Sequence, residues 1–192
     1  MWVRSAAIRP VPAFARLQLE DLTDVEDGLS SDEEAEQTLS LAFEQFELRQ
    51  PALAECIGNG LAGVGDEVAL ALGYFLCLTL WMAFDRKFSS RVDTISSLAM
   101  GGVEESMDLD EQLRGTDPAE AIDSDDVVAM EQPDVVRFIN EHVEAALEAH
   151  ASDIDVEAVH RVYRLLLIEA LALSYAVSPP ADYRGVTTEA SA

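Results

Sequence analysis

Basic residues are scarce in this chain of 192 residues. A single lysine and eleven arginines stand against 37 acids, which leaves a net charge of −25. A surface of that sign repels phosphate, so direct nucleic-acid binding and adhesion to anionic lipid are not expected. Cysteine is rarer still. Cys56 and Cys77 cannot frame a disulfide scaffold, and both stand among apolar residues, where a thiol is inert. Residues 1–19 lack a continuous apolar core, so no secretory signal is read there and a cytoplasmic location is the expectation. No Ser-His-Asp or Cys-His set stands out either, and catalysis is not expected. The chain is not short of core material, since 49% of it is hydrophobic.

The charge comes in blocks. Residues 1–19 hold Arg4, Arg9 and Arg16 and no acid; Pro10 and Pro12 interrupt any helix there, so a flexible arm is expected. Residues 20–48 hold eleven acids and no base, and residues 104–134 hold twelve acids and Arg114 alone. The bias to arginine suits a GC-rich genome or a salt-adapted cytoplasm, in which acidity serves solubility. The competing reading is an acidic docking face.

Helical signals dominate, and the expected fold is all-α, a single bundle of about six helices over residues 20–177. Ser31 with Glu34 is a capping box that opens a helix over 31–49, with Leu39, Phe43 and Phe46 as its buried stripe. Gln50-Pro51 breaks the chain and starts a helix over 51–62. The most apolar helix follows over 66–86. Residues 89–116, with Gly101-Gly102, read as a long connection with one short helix near Thr94. Further helices are expected over 117–131, from Asp117-Pro118, over 133–150, from Gln132-Pro133, and over 155–177. A polar tail, 178–192, is expected to be disordered. Leu72, Phe75, Leu76, Leu80 and Phe84 should pack against Tyr163, Leu166, Leu167, Ala170 and Leu171.

The two halves resemble each other. Gln50-Pro51, Leu53 and Ile57 match Gln132-Pro133, Val135 and Ile139, while Asp66 and Tyr74 match Asp155 and Tyr163. Units 31–88 and 117–177 therefore read as an internal repeat, two helical units packed about a pseudo-twofold axis.

Three motifs compete for attention. Gly58-Asn59-Gly60-Leu61-Ala62-Gly63 matches the dinucleotide fingerprint G-x-G-x-x-G. The helix after it begins with Asp66 and Glu67, which oppose a phosphate, and no acid stands where a second strand would end. The glycine-rich stretch 58–65 reads instead as a turn between helices. Residues 68–84 are uncharged over seventeen positions, enough for a short membrane span, although burial within a bundle explains the run as well. Glu157 and His160 form Glu-x-x-His, half of a di-iron motif, and with His142 and His150 they compose a candidate zinc site. The acids at 123–126 and at 153–155 lack the glycine and glutamate of a calcium loop.

The function expected is therefore a non-enzymatic, acidic, helical interaction or regulatory module with a basic protein partner and no cofactor; self-association is a further option. The alternatives are a cofactor- or metal-binding protein, through residues 58–65 or through His142, His150, Glu157 and His160, and a membrane-associated protein, through helix 68–84.

Overall fold

A computed structural model describes residues 7–31, 35–115 and 123–183. Its described part is all-α, with helices α1 (Leu19–Ser31), α2 (Ala35–Arg49), α3 (Pro51–Ala62), α4 (Glu67–Phe88), α5 (Ser97–Gly115), α6 (Ser124–Glu131), α7 (Pro133–Ala149) and α8 (Val156–Ala176).

The centre is the pair α4 and α8. Leu76, Leu80 and Phe84 on one side and Leu166, Leu167, Ala170 and Leu171 on the other are buried, as expected, while Leu72, Phe75 and Tyr163 are only half-buried. The pair runs parallel. At one end the Asp155 N–H donates to Asp66 Oδ2 (3.0 Å), so the two helix starts touch. At the other end the exits pair as an antiparallel bridge between Val92 and Val177, with the Asp93 N–H on the Ala176 carbonyl (2.9 Å) and the Ser178 N–H on that of Arg91 (2.7 Å). Parallel helices align like ends of their dipoles, and the acids at both starts, Asp66, Glu67, Asp155 and Glu157, offset the positive poles. Close approach demands small residues: a Cβ at Gly73 would meet Leu61 Cδ2 at 2.7 Å and Val162 Cγ1 at 3.2 Å. Helix α4 is the one described helix long and apolar enough to cross a membrane, and 56% of its apolar window is covered by the rest of the fold.

The remaining helices wrap this pair in matching fashion. Helix α1 lies on α4 as α5 lies on α8; α3 contacts α8 and α5, while α7 contacts α4 and α1. Two buried glutamines fix the arrangement. Gln50 and Gln132 precede α3 and α7 with nearly the same backbone angles (φ −132°, ψ 56° and φ −133°, ψ 66°). The Gln50 side chain donates to the Asp93 carbonyl (3.0 Å) and accepts from the Ile95 N–H (2.8 Å), just ahead of α5. The Gln132 side chain donates to the Ala15 carbonyl (2.9 Å) and to Ser174 Oγ (2.7 Å), and accepts from the Leu17 N–H (3.2 Å), just ahead of α1. Each glutamine thus clasps the extended segment that leads into the other half. An extended segment inside a helical protein has no ladder for its backbone groups, and the carboxamide, with a donor and an acceptor, supplies one.

Several expectations are corrected. The segment read as a flexible arm is packed from residue 7 onward: Ile8, Val11, Ala15 and Leu17 are buried, and Tyr175 Oη donates to the Arg9 carbonyl (2.5 Å). Residues 20–31 form a helix in spite of their acids, because Leu22, Val25 and Leu29 recur at three and four and reach the core. Residues 97–115 are a continuous helix, not a connection. Met100, Val103 and Met107 keep the helical period, and Gly101 and Gly102 face open space. Phe43 is exposed rather than part of a buried stripe; only Phe46 of that set is fully buried. The Ser31–Glu34 capping box and the start at Asp117-Pro118 lie outside the described residues. Helix α6 instead begins at Ser124 with a capping box between Asp123 and Asp126. Of the tail, residues 178–183 are described, with Tyr183 against the Phe14 ring.

Gln132→Ala removes three bonds from a dry interior and strands the Leu17 N–H and the Ala15 carbonyl. It should cost roughly 2–5 kcal/mol in urea unfolding, more than Gln50→Ala.

Candidate functional site

A groove of about 580 Å³ lies between α3, α5 and α8. Its floor is apolar, formed by Met100, Leu165 and Ile168 with Cys56, and its rim carries Glu55, Asn59, Glu104, Arg161 and Arg164. The glycine-rich motif borders it, in helical form. Gly58 and Gly60 are inside α3, whose cap is Gly63, and no strand precedes them. A Cβ on Gly60 would meet Leu165 Cδ2 at 2.8 Å, so this glycine is a packing glycine that lets α3 approach α8.

Charges in the groove are distributed unevenly. Arg164 is held by Glu111 (Nε to Oε1, 2.7 Å) and Asp108 (2.5 Å), which push its pKa further up. Arg161 has Asp155 at 4.0 Å. Among the described residues no base stands within ion-pair distance of Glu55 or Glu104; Glu104 Oε1 accepts from the Cys56 thiol (3.4 Å). Burial and then the Glu104 carboxylate push the Cys56 thiol up to about 12, so this half-buried cysteine is a poor nucleophile at neutral pH.

Next to the groove, inside the α4–α8 contact, lies Glu169. It is fully buried, and neither of its carboxyl oxygens has a hydrogen-bond partner. Its polar neighbour is Cys77, whose approach falls short of hydrogen-bonding geometry; burial pushes the Glu169 carboxyl well above its ordinary range and the Cys77 thiol up as well. Sequence reading passed over Glu169 because one acid in an apolar helix looks like an exposed edge. Asp110 is the opposite case. Burial pushes its carboxyl up, but Arg114, Ser124 Oγ (2.8 Å) and the Ala7 N–H (3.0 Å) outweigh that and hold it below its ordinary range.

The proposed zinc ligands do not converge. His142 is on α7 and its Nε2 lies 2.9 Å from Glu26 Oε1, turned toward α1. His150 caps the end of α7, Glu157 is in the first turn of α8, and His160 is exposed on α8. Among the described residues no three His, Cys, Asp or Glu side chains are grouped to hold a metal ion. The physical reason is helical phase: His142 is committed to the α1–α4 side, away from the α7–α8 turn. Comparison of the chain with protein-family models, curated proteins and solved structures found no match.

Two outcomes follow from the carboxyls and thiols. An acid raised by burial binds a proton in the folded state that it has lost in the unfolded state. Glu169 therefore removes stability as pH rises above the ordinary carboxyl range, by about 1.4 kcal/mol per pH unit up to its folded pKa. Glu169→Leu should raise the urea midpoint at pH 8 and leave it little changed near pH 4. Native Cys56 should react slowly with a disulfide reagent at pH 8, and Glu104→Gln should speed that labelling.

Proposed function

We propose that this protein is a non-catalytic interaction module, two like helical units clasped together, whose acidic exterior docks a basic protein partner. The observation that carries the reading is where the cations go. Every basic side chain among the described residues is engaged within the chain. Arg16, Arg49, Lys87, Arg114, Arg137, Arg161 and Arg164 face acids; Arg86 and Arg91 donate to backbone carbonyls, and Arg9 lies over the Tyr175 ring. Among the described residues the acids outnumber these bases, and the surplus lies on the outside.

Helix α5 is the face best suited to use that surplus. Glu104 and Glu105 are exposed along it, with Asp108 and Glu111 beside them sharing the one cation of Arg164, and Leu98 (88% exposed) and Leu109 lie on its outward side with Gly101 and Gly102. Acid interleaved with bare apolar and small residues fits a basic amphipathic helix, and it disfavours a second copy of a chain this negative. The matched roles of Gln50 and Gln132 support two units related by an internal repeat, in which the docking helix α5 is the counterpart of α1. Glu169 is fully buried and does not line the groove, and Cys56, pushed up to about 12, is a poor nucleophile at neutral pH, which favours binding over chemistry.

The test is kinetic. An arginine-rich amphipathic helical peptide should associate with the protein in 0.1 M salt. Neutralising Glu104, Glu105, Asp108 and Glu111 together should slow association more than it speeds dissociation, because long-range charge acts on encounter. The difference should fade toward 1 M salt, where the Debye length shrinks to about 3 Å. Rates indifferent to both changes would leave the acidity as a solubility device.

A further inference from the structure

The docking face has a counterpart inside the same molecule, and the two differ at one place. On the other half, α7 meets α1 and α4 as α3 meets α5 and α8. There the His142 ring packs against Phe138 (centroids 4.3 Å) and Phe75 (5.8 Å), with Nε2 2.9 Å from Glu26 Oε1 and Nδ1 2.9 Å from the Phe138 carbonyl. Both neighbours are acceptors. A flat ring thus plugs this position, seated on an α1 glutamate.

The register that carries Gln50 onto Gln132 carries Cys56 onto Phe138 and Gly60 onto His142. The register that carries Leu17 onto Ile95, both buried and both clasped by a glutamine, carries Glu26 onto Glu104. The acid of the seat is retained in the α3–α5–α8 groove, whereas the ring and its aromatic wall are replaced by glycine and cysteine. Arg137, on the outside of α7, corresponds to Glu55, so a base has become an acid. The groove is what remains when the plug is taken away.

We infer that the α3–α5–α8 groove is the receptor for an arginine side chain on a basic helix of the partner, which takes the place that His142 takes in the other half. This rests on the function proposed above and narrows it to one seat. Glu104 stands on one wall and Glu55 at the rim, two carboxylates for one guanidinium fork, while Met100, Leu165 and Ile168 offer an apolar floor to the arginine stem. The two arginines of the lining do not reverse the sign, because Asp108, Glu111 and Asp155 stand beside them. A planar group is favoured over an ammonium because the slot is the one a flat ring fills on the other side. Bare Gly101 and Gly102, which nothing in the packing requires, let a partner helix lie close along α5.

The test uses the full chain, isotope-labelled, titrated with the arginine-rich amphipathic peptide in 0.1 M salt. The peptide should shift the amide resonances of Cys56, Gly60, Gly101 and Glu104. Glu55→Gln with Glu104→Gln should weaken binding about five- to tenfold, while the exposed control pair Glu144→Gln with Glu148→Gln changes it less than twofold. Gly60→His, whose Cβ comes within 3 Å of the two terminal carbons of Leu165 alone, should block the groove. His142→Gly should open a second seat, so that the stoichiometry rises from one peptide to two. Shifts confined to another face, or equal weakening by both acid pairs, overturn the groove and leave the acidic-docking reading standing. A peptide that does not bind at low salt removes both. A light-scattering mass of two chains, with the groove resonances shifted by dilution, assigns the groove to a second copy instead.

Discussion

The parallel contact between α4 and α8 is the constraint on which the rest of the structure depends. Two long apolar helices can be buried side by side only if every other element is arranged around them. Their starts meet at Asp66 and Asp155, and their exits meet in the bridge between Val92 and Val177. Parallel partners also oblige the chain to travel back before each central helix, which α3 and α7 do. The charge-free run of α4 is a consequence, since a helix covered on several sides has few positions at which charge is tolerated.

Burial alone is non-directional, and something must fix how the two halves sit on that pair. The glutamine clasps supply the direction. Gln50 reaches the segment ahead of α5, and Gln132 reaches the segment ahead of α1, so each half is fastened by the other half's backbone. A half without its partner would leave both a carboxamide and an extended segment unsatisfied in a dry interior, which links the folding of each half to the presence of the other. Glu169 works against this economy. It stands where α4, at the matching position, has the fully buried Leu80, and its unsatisfied carboxyl is a local weakness in an otherwise apolar contact.

Under the internal repeat proposed above, the differences between the halves are informative. One half fills its α1–α4–α7 niche with His142, Phe138 and Phe75. The other replaces the first two with Gly60 and Cys56, and Phe75 with Arg164, which is drawn out to α5 by Asp108 and Glu111. The result is a closed, aromatic side and an open, acidic side. The open side adjoins the helix whose exposed face mixes acid with leucine and glycine, so the proposed recognition surface and the core meet on α5.

By itself the sequence determined the elements whose signals are local or periodic. The Gln-Pro breaks, the caps at Asp66 and Asp155, and the apolar face shared by Leu76, Leu80 and Phe84 placed α3, α4, α7 and α8 and the core between them, because each depends on residues within a turn or two. The recurrence of those signals also suggested two similar units. Sequence reading missed α1 and α5, where acids or paired glycines mask a sparse apolar stripe that has meaning only once a neighbour covers it. It grouped His142, His150, Glu157 and His160 by proximity along the chain, whereas the phase of α7 turns His142 to Glu26 instead. The clasps, the burial of Glu169 and the acidic groove were decided by tertiary structure alone. Each joins groups at least some forty residues apart or on separate helices, and the free energy of a polar atom is set by what surrounds it in space, not by its neighbours in sequence.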